Sequence, residues 1–349
     1  TTVVRAAAVK EGYISSDIAT QTYLIEPTNN LPVVSFSTEP ANFFSDTSGI
    51  YVEGTNGVPG YCRSIPLNWN QDWERPIHVE FFEPNGSLGF EMVAGVKIHG
   101  GCTRLYPQKS LALFARQSYG FARIDYPVWG PLERQSFNNL VLRSSAQDWW
   151  RTMFRDGMIQ TVVDDGMQLE TQAYRPSIVF LNGQYWGIHN LREKQNEHYF
   201  ADRIGIDPDD VEILEGDKID LIGQSAHYDE MMTFILSSDM SQPATIEVVD
   251  SYMDVDAYID YLIAEIYSAN GDWPGNNLKL WRPMTSGGRW RWVIFDLDFG
   301  FGGNANGQYD SNTLALATDP NGPEWPNPPW STLLLLSLIH ISEPTRPMK

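Results

Sequence analysis

Basic residues are scarce in this chain of 349 residues. Lysine and arginine total 24 against 44 aspartate and glutamate residues, so the formal net charge is −20 at pH 7. Charged residues make up only 19% of the sequence, so the acidity comes from the shortage of bases and not from acidic runs. Nucleic-acid binding needs a basic surface that displaces counterions from phosphates. The charge balance therefore argues against a nucleic-acid partner, and we expect none.

Long apolar runs and cysteines are scarce as well. The longest uncharged apolar stretch covers residues 333–339 and is interrupted by Ser337, whereas a helix needs about 20 apolar residues to cross a bilayer. The sequence therefore predicts no membrane span. Cys62 and Cys102 are the only cysteines, too few for a cysteine metal site and too far apart for a CxxC redox motif. They can form one disulfide bond in a secreted protein or remain as two buried thiols.

The distribution of apolar residues predicts an α+β fold. Strand patterns dominate before Trp149, and two Asn-Gly pairs, at Asn85 and Asn182, predict β-hairpins. Helical spacing predicts helices over 191–203 and 255–268. Apolar runs at 278–281 and 290–295 predict a later pair of strands. A β-rich part followed by a mixed, helical part does not match an alternating, doubly wound sheet.

The residues at both ends of the sequence indicate segments that do not belong to the central domain. Residues 1–28 contain two short strand patterns around a glycine turn and resemble the last strands of the β-sandwich modules appended to chitobiase-type secreted enzymes. Because two strands alone are unstable in water, we expect the remnant of a truncated module there, followed by one domain over residues 31–335. Residues 336–349 resemble the translation of a sequencing adapter, so we interpret them as an artefact in a C-terminally truncated metagenomic sequence.

Two short segments contain most of the candidate catalytic and metal-binding side chains. In the first, Asp272 is followed five residues later by Asn277. In the second, Asp296 and Asp298 follow the apolar run 292–295, and Asp298 begins an Asp-Phe-Gly triplet. Protein kinases use an Asp, an Asn five residues on and then an Asp-Phe-Gly to position the attacking hydroxyl and to bind Mg²⁺. Paired carboxylates at the end of a buried strand also need a cation or a base to offset their charge.

Two upstream residues extend this comparison with kinases. Lys109 begins a strand pattern and is a candidate phosphate contact, and Glu193, on the predicted helix 191–203, is its candidate ion-pair partner. Only Gly100–Gly101 precedes Lys109 in place of a GxGxxG loop, and the sequence has no His-Arg-Asp triplet. These departures exclude an ordinary protein kinase.

Several further blocks occur in a fixed order along the chain. They are His99-Gly-Gly, Lys109-Ser-Leu, Arg143-Ser-Ser-Ala-Gln-Asp148, Asn182-Gly-Gln-Tyr-Trp-Gly-Ile-His-Asn-Leu-Arg-Glu-Lys194, the Asn-x-Asp at 270–272 and the Asp-x-Asp-Phe at 296–299. Together they resemble the spore coat protein H (CotH) kinase family, from about Leu31 to Gly303. The resemblance implies an atypical protein-kinase-like fold that binds ATP with Mg²⁺ or Mn²⁺ and phosphorylates serines of a protein substrate, as with spore coat proteins.

The resemblance also implies roles for individual residues. Carried over by position, Asp272 would be the catalytic base, while Asn277 and Asp298 would be metal ligands. Asp296 could replace or assist Asp298, and the motif does not decide between them. The family and the appended module imply a bacterial extracellular or cell-surface location, with carbohydrate contacts through such modules.

Binding ATP at this net charge requires local bases that offset the negative charge. Lys109, Arg143 and Arg151 are the candidates, with Glu193 holding Lys109 in the nucleotide site. Two other functions stay open, because a fold does not settle function. One is a catalytically inactive secreted or surface module for adhesion or carbohydrate binding on the same scaffold. The other is a glycosidase, which needs two carboxyl groups about 5 Å or about 6.5–9.5 Å apart across a cleft.

Overall fold

A computed structural model describes most of this chain. The described residues are 1–25, 30–60, 62–131, 134–216, 219–222, 226–273, 276–303 and 310–318. The interpreted adapter, residues 336–349, lies outside them. The chain divides into two units, the first formed by Thr1–Trp149 with Ala173–Lys194 and the second by Trp150–Gln172 with Gln195–Lys349.

Strands make up most of the first unit, as the alternation of its apolar residues predicts. They are β1 (Thr2–Ala6), β2 (Ala19–Tyr23), β3 (Val33–Ser37), β4 (Arg75–Phe82), β5 (Leu88–His99), β6 (Ser110–Phe114), β7 (Ile124–Asp125), β8 (Ser136–Phe137), β9 (Asn139–Arg143), β10 (Tyr174–Leu181) and β11 (Gln184–Arg192). A single short α-helix, α1 (Pro40–Phe44), and several 3₁₀ turns accompany them among the described residues of this unit.

Seven of these strands close into a barrel in the order β10-β11-β9-β6-β5-β4-β3. All neighbouring pairs are antiparallel except β3 and β10, which run parallel and close the barrel. Alternate side chains point inward and form one core, for example Phe81, Leu111, Leu113, Leu140 and Val179. Burial of each such side chain contributes about 1.5–3 kcal/mol of stability.

Both Asn-Gly hairpins are confirmed. β4 pairs with β5 around Gly86, and β10 pairs with β11 around Asn182 and Gly183. The φ angles of Asn182 and Gly183 are 50° and 80°, the left-handed values that tight hairpin turns require at both central positions.

The two N-terminal strands also form as predicted. β1 and β2 pair antiparallel, and the amide of Thr22 in β2 donates a hydrogen bond of 3.0 Å to the buried carboxylate of Glu80 in β4. The assignment of residues 1–28 to a truncated β-sandwich module, and of residues 31–335 to one domain, stays a prediction.

The second unit combines helices with a small sheet. Its elements are α2 (Arg155–Asp164), α3 (Glu197–Ile204), β12 (Val211–Glu215), β13 (Ile219–Ile222), α4 (Ala226–Ser237), α5 (Pro243–Tyr252), α6 (Val255–Tyr267), β14 (Lys279–Pro283), β15 (Arg291–Trp292) and α7 (Thr313–Thr318). The sheet order is β13-β12-β14-β15, and its neighbouring strands are antiparallel. The predicted helix over 255–268 and the later strand pair are confirmed, and the described residues have an α+β fold.

The predicted helix over 191–203 is wrong in its first half. Strand β11 continues to Arg192 because its residues pair with both β10 and β9. Helix α3 begins only at Glu197, after Asn196 caps it by accepting a hydrogen bond from the amide of Tyr199. Glu193 therefore lies on the connection after a strand and not on a helix. The strand ladder outweighs the helical spacing of the sequence here.

Cys62 and Cys102 form a disulfide bond across 40 residues of the first unit, so the alternative of two thiols is set aside. Among the described residues, no helix combines the length and the apolarity needed to cross a bilayer.

Candidate active site

Helix α6 leads directly into the first predicted site segment. Asp254 caps the helix by accepting a hydrogen bond of 3.1 Å from the amide of Ala257. Just after the helix, Ala269 has a φ of 53°, a left-handed value that is uncommon for residues with a Cβ and is found at functional loops. The chain then reaches Asn270 and Asp272, which are both buried.

Asp272 lies at the centre of a cluster of amide side chains. Its Oδ2 accepts hydrogen bonds of 3.2 Å from Nδ2 of both Asn276 and Asn277. Nδ2 of Asn277 also donates to the carbonyl oxygen of Asp296 at 3.3 Å. Burial raises the pKa of the Asp272 carboxyl, the Asn276 hydrogen bond opposes this, and the charge of Asp296 adds to it. The structure thus brings together three of the predicted site residues, Asp272, Asn277 and Asp296.

The second segment forms a tight turn. Asp296 has a φ of 57° and precedes a short 3₁₀ helix, Leu297–Phe299, in which Asp298 is 2% exposed. Leu297 anchors the turn, because its side chain is buried against Ile159, among other apolar residues. The amide of Gly271 donates to the carbonyl oxygen of Phe299 at 3.4 Å, which joins this turn to the Asp272 loop.

Asp156, in the first turn of α2, is a contributor that the sequence reasoning missed. Its Oδ1 accepts a hydrogen bond of 3.0 Å from the amide of Leu297 and another of 2.9 Å from Nε2 of Gln160. The neighbouring Arg155 donates to the carbonyl oxygen of Asp298 at 3.1 Å. Helix α2 therefore fixes the backbone between Asp296 and Asp298. No local spacing in the sequence signals this, because 141 residues separate Asp156 from Leu297.

Glu265 is a second contributor that sequence reasoning missed. It is 1% exposed on the buried face of α6, and its Oε2 accepts a hydrogen bond of 2.9 Å from Nδ2 of Asn270. Burial raises the pKa of Glu265 to about 8; the Asn270 hydrogen bond opposes the shift, and the charges of Asp156 and Asp296 add to it. The sequence did contain a signal for this buried carboxylate: Glu265 lies on the same helical face as Tyr258 and Tyr261, which are buried in α6.

Lys109, in the first unit, does not have the environment of a phosphate contact. Its Nζ donates hydrogen bonds to the carbonyl oxygens of Arg104 and Tyr106 at 2.7 and 2.8 Å, and it lies 3.9 Å from the ring centroid of Trp69. The side chain is 4% exposed, and burial lowers its pKa to about 8, with the charge of Glu53 opposing the shift. The expected ion pair with Glu193 is not formed, because carbonyl groups and an aromatic ring surround the ammonium group instead.

Glu193 has other partners within the first unit. Its Oε1 lies 3.3 Å from Nη1 of Arg134, and its Oε2 accepts a hydrogen bond of 3.4 Å from the amide of Ala173. The other two predicted bases lie in different units. Arg143 ends β9, and Arg151 donates hydrogen bonds to the carbonyl oxygens of Gly302 and Gly303 within the second unit.

The sequence of this chain matches one protein-family model. Residues 96–344 match the model described as CotH kinase protein, which is more than half of the chain. The chain belongs to the CotH kinase family. All the site residues predicted above, from Lys109 to Asp298, lie within the matched range. No curated protein matches the chain.

The side chains of Asn277, Asp296 and Asp298 carry the types of oxygen atom that bind hard divalent cations. Mg²⁺ and Mn²⁺ prefer carboxylate and amide oxygens, and this part of the chain contains the carboxylates of Asp296 and Asp298. Both side-chain hydrogen bonds of Asn277 are donated by Nδ2, which leaves its Oδ1 for a cation. The described residues contain no group of three or more His, Cys, Asp or Glu side chains arranged as a metal site. Phosphate oxygens and water would have to complete the coordination, as is usual for Mg²⁺.

Proposed function

We propose that this member of the CotH kinase family is an atypical, ATP-dependent protein serine kinase with a protein-kinase-like fold. The observation that carries the proposal is the convergence of Asp272, Asn277 and Asp296 in one hydrogen-bonded cluster joined to the Asp298 turn. Phosphoryl transfer depends mainly on alignment and charge neutralisation. A cluster of fixed carboxylate and amide groups supplies both.

In this proposal Asp272 orients the serine hydroxyl and accepts its proton. The two amide donors on Oδ2 fix the carboxylate plane, and its raised pKa makes it a stronger base than an ordinary aspartate. Asp298, Asp296 and Asn277 would hold Mg²⁺ or Mn²⁺, which supplies positive charge for the phosphate oxygens when it is bound.

Lys109, a phosphate contact in the comparison with kinase sequences, is not among the phosphate-binding bases that we propose. The Lys109 ammonium already makes two hydrogen bonds to carbonyl groups and stacks on Trp69, so we leave it out of the nucleotide site. Arg143 and Arg151 remain as the candidates. We further propose that the protein acts in a bacterial extracellular or cell-surface compartment, which the Cys62–Cys102 disulfide supports because such bonds persist in oxidising surroundings.

Titration calorimetry with ATP, in the presence of Mg²⁺, Mn²⁺ or EDTA, tests this proposal. The wild type should bind ATP only with the metal ion. Asp298→Ala should lose that binding, while Asp272→Asn should keep it and lose self-phosphorylation. Asp239→Asn is the matched control, because Asp239 is an exposed aspartate of the second unit whose carboxylate accepts hydrogen bonds from the nearby Ser241 and Gln242.

Two outcomes would contradict the proposal. Folded wild-type protein that binds no nucleotide would remove the kinase assignment and favour a catalytically inactive adhesion module. Equal transfer by Asp272→Asn and wild type would show that another group accepts the proton.

A further inference from the structure

The buried carboxyl group of Glu265 has no role in the proposed chemistry, yet it accepts a hydrogen bond from Asn270, in the loop that carries Asp272. The side chain is fully buried on the inner face of α6. Its Oε1 has no hydrogen-bond partner among the described residues. A buried, incompletely paired carboxyl group is costly for folding. An apolar residue at this position of the helix would avoid that cost, so the carboxyl group needs an explanation.

Asn270 supplies the connection between Glu265 and Asp272. Its Nδ2 donates to Oε2 of Glu265 at 2.9 Å, and its Oδ1 accepts from the amide of Asp272 at 3.3 Å. The amide plane of Asn270 is therefore fixed at both ends. Without the acceptor on Glu265, this amide could rotate and release the Asp272 backbone.

The backbone reinforces the same arrangement. The amide of Asn270 donates to the carbonyl oxygen of Glu265 at 3.2 Å, and the amide of Trp273 donates to the carbonyl oxygen of Asn270 at 3.2 Å. Glu265 thus contacts Asn270 through both its main chain and its side chain.

We propose that Glu265 is a positioning residue that orients Asp272 through the side-chain amide of Asn270. This inference rests on the proposed role of Asp272 as the base. A base displaced by about 1 Å loses on the order of a hundredfold in rate. The raised pKa of Glu265 is consistent with this role, because the neutral carboxyl group still offers an acceptor oxygen to Asn270 without adding charge next to Asp296.

The test combines two measurements on the full-length protein. The first is ADP release from Mn²⁺·ATP, analysed as kcat and KM. The second is hydrogen exchange of the Asp272 amide, which reports on the loop whether or not the protein is active. Glu265→Leu should speed exchange of this amide and lower kcat, each about tenfold or more, while KM for ATP stays within about twofold. Glu265→Gln, which keeps an acceptor oxygen, should restore both.

Further variants separate positioning from general destabilisation. Asn270→Ala should reproduce the Glu265→Leu result without altering the core of α6, and it decides the question if Glu265→Leu does not fold. The double variant should be no slower than the more impaired single variant, because both act on one connection. Tyr258→Phe, a buried change on the same helix, should change neither measurement.

The possible outcomes are distinct. Unchanged Asp272 exchange in both Glu265→Leu and Asn270→Ala would overturn the inference, and so would multiplicative losses of kcat in the double variant. If the wild type releases no ADP, the proposed function fails, and the exchange measurement alone then supports or overturns the positioning of Asp272 by Glu265.

Discussion

Replacing Glu265 with glutamine should stabilise the protein increasingly as the pH rises. The carboxyl group is fully buried, and burial raises its pKa from the usual 4.5 to about 8. In the unfolded chain the group ionises near 4.5, so between these two values the folded state binds more protons than the unfolded state. Stability therefore falls as pH rises through this window. Glutamine carries no titratable proton and removes this dependence.

The magnitude follows from the shift. One pK unit corresponds to about 1.4 kcal/mol, so ionisation of the unfolded chain lowers wild-type stability by about 1 kcal/mol at pH 5 and by about 4 kcal/mol at pH 8. The stability difference between Glu265→Gln and the wild type should therefore increase by about 3 kcal/mol over this range. The new amide group adds an offset that does not depend on pH.

Urea unfolding at pH 5, 6, 7 and 8 measures this difference, with the fluorescence of the 12 tryptophans as the signal. Glu247→Gln, at an exposed glutamate of α5, is the control and should follow the wild type at every pH. Parallel stability curves for Glu265→Gln and the wild type would refute the reasoning, since they would mean that Glu265 titrates alike in both states.

Three other changes have defined outcomes. Lys109→Met should cost about 2–3 kcal/mol in urea unfolding by leaving two carbonyl groups unpaired, with an unchanged KM for ATP; a raised KM in a stable variant would restore a nucleotide role. Reduction of the Cys62–Cys102 bond should lower stability by about 3–4 kcal/mol for a loop of 40 residues, seen as a lower urea midpoint, and no shift would contradict this. Asp156→Ala should cost about 1–3 kcal/mol by unpairing the buried Leu297 amide and weaken metal-dependent ATP binding in calorimetry; intact binding would contradict the proposed support of the turn.

The sequence predicted the parts of the fold that depend on local patterns. The Asn-Gly pairs predicted both hairpins because few residues adopt left-handed φ angles as readily as asparagine and glycine. Apolar spacing predicted α6. The five-residue step from Asp272 to Asn277, followed by a strand pair, grouped these two residues with Asp296 and Asp298. In the structure, Asn277 donates a hydrogen bond to the carbonyl oxygen of Asp296, because the strand pair returns the chain to its starting point.

The surroundings of Lys109 and Glu193 could not be predicted from the sequence, because they depend on burial and on partners distant along the chain. Lys109 matched the expected order of residues, but its surroundings of two carbonyl groups and Trp69 follow from the packing of the first unit. Glu193 pairs with Arg134, 59 residues away, and lies after a strand whose pairing with β9 could not be read locally.

The sequence by itself therefore determined the family, the α+β class, the hairpins and the set of acidic and amide residues at 272, 277, 296 and 298, because each depends on residue type and short spacing. Only the tertiary structure decided the parallel closure of β3 on β10, the hydrogen bond from Leu297 to Asp156 and the burial of Glu265 behind Asn270. The physical reason is that desolvation and hydrogen bonding depend on groups that folding brings together from distant parts of the chain.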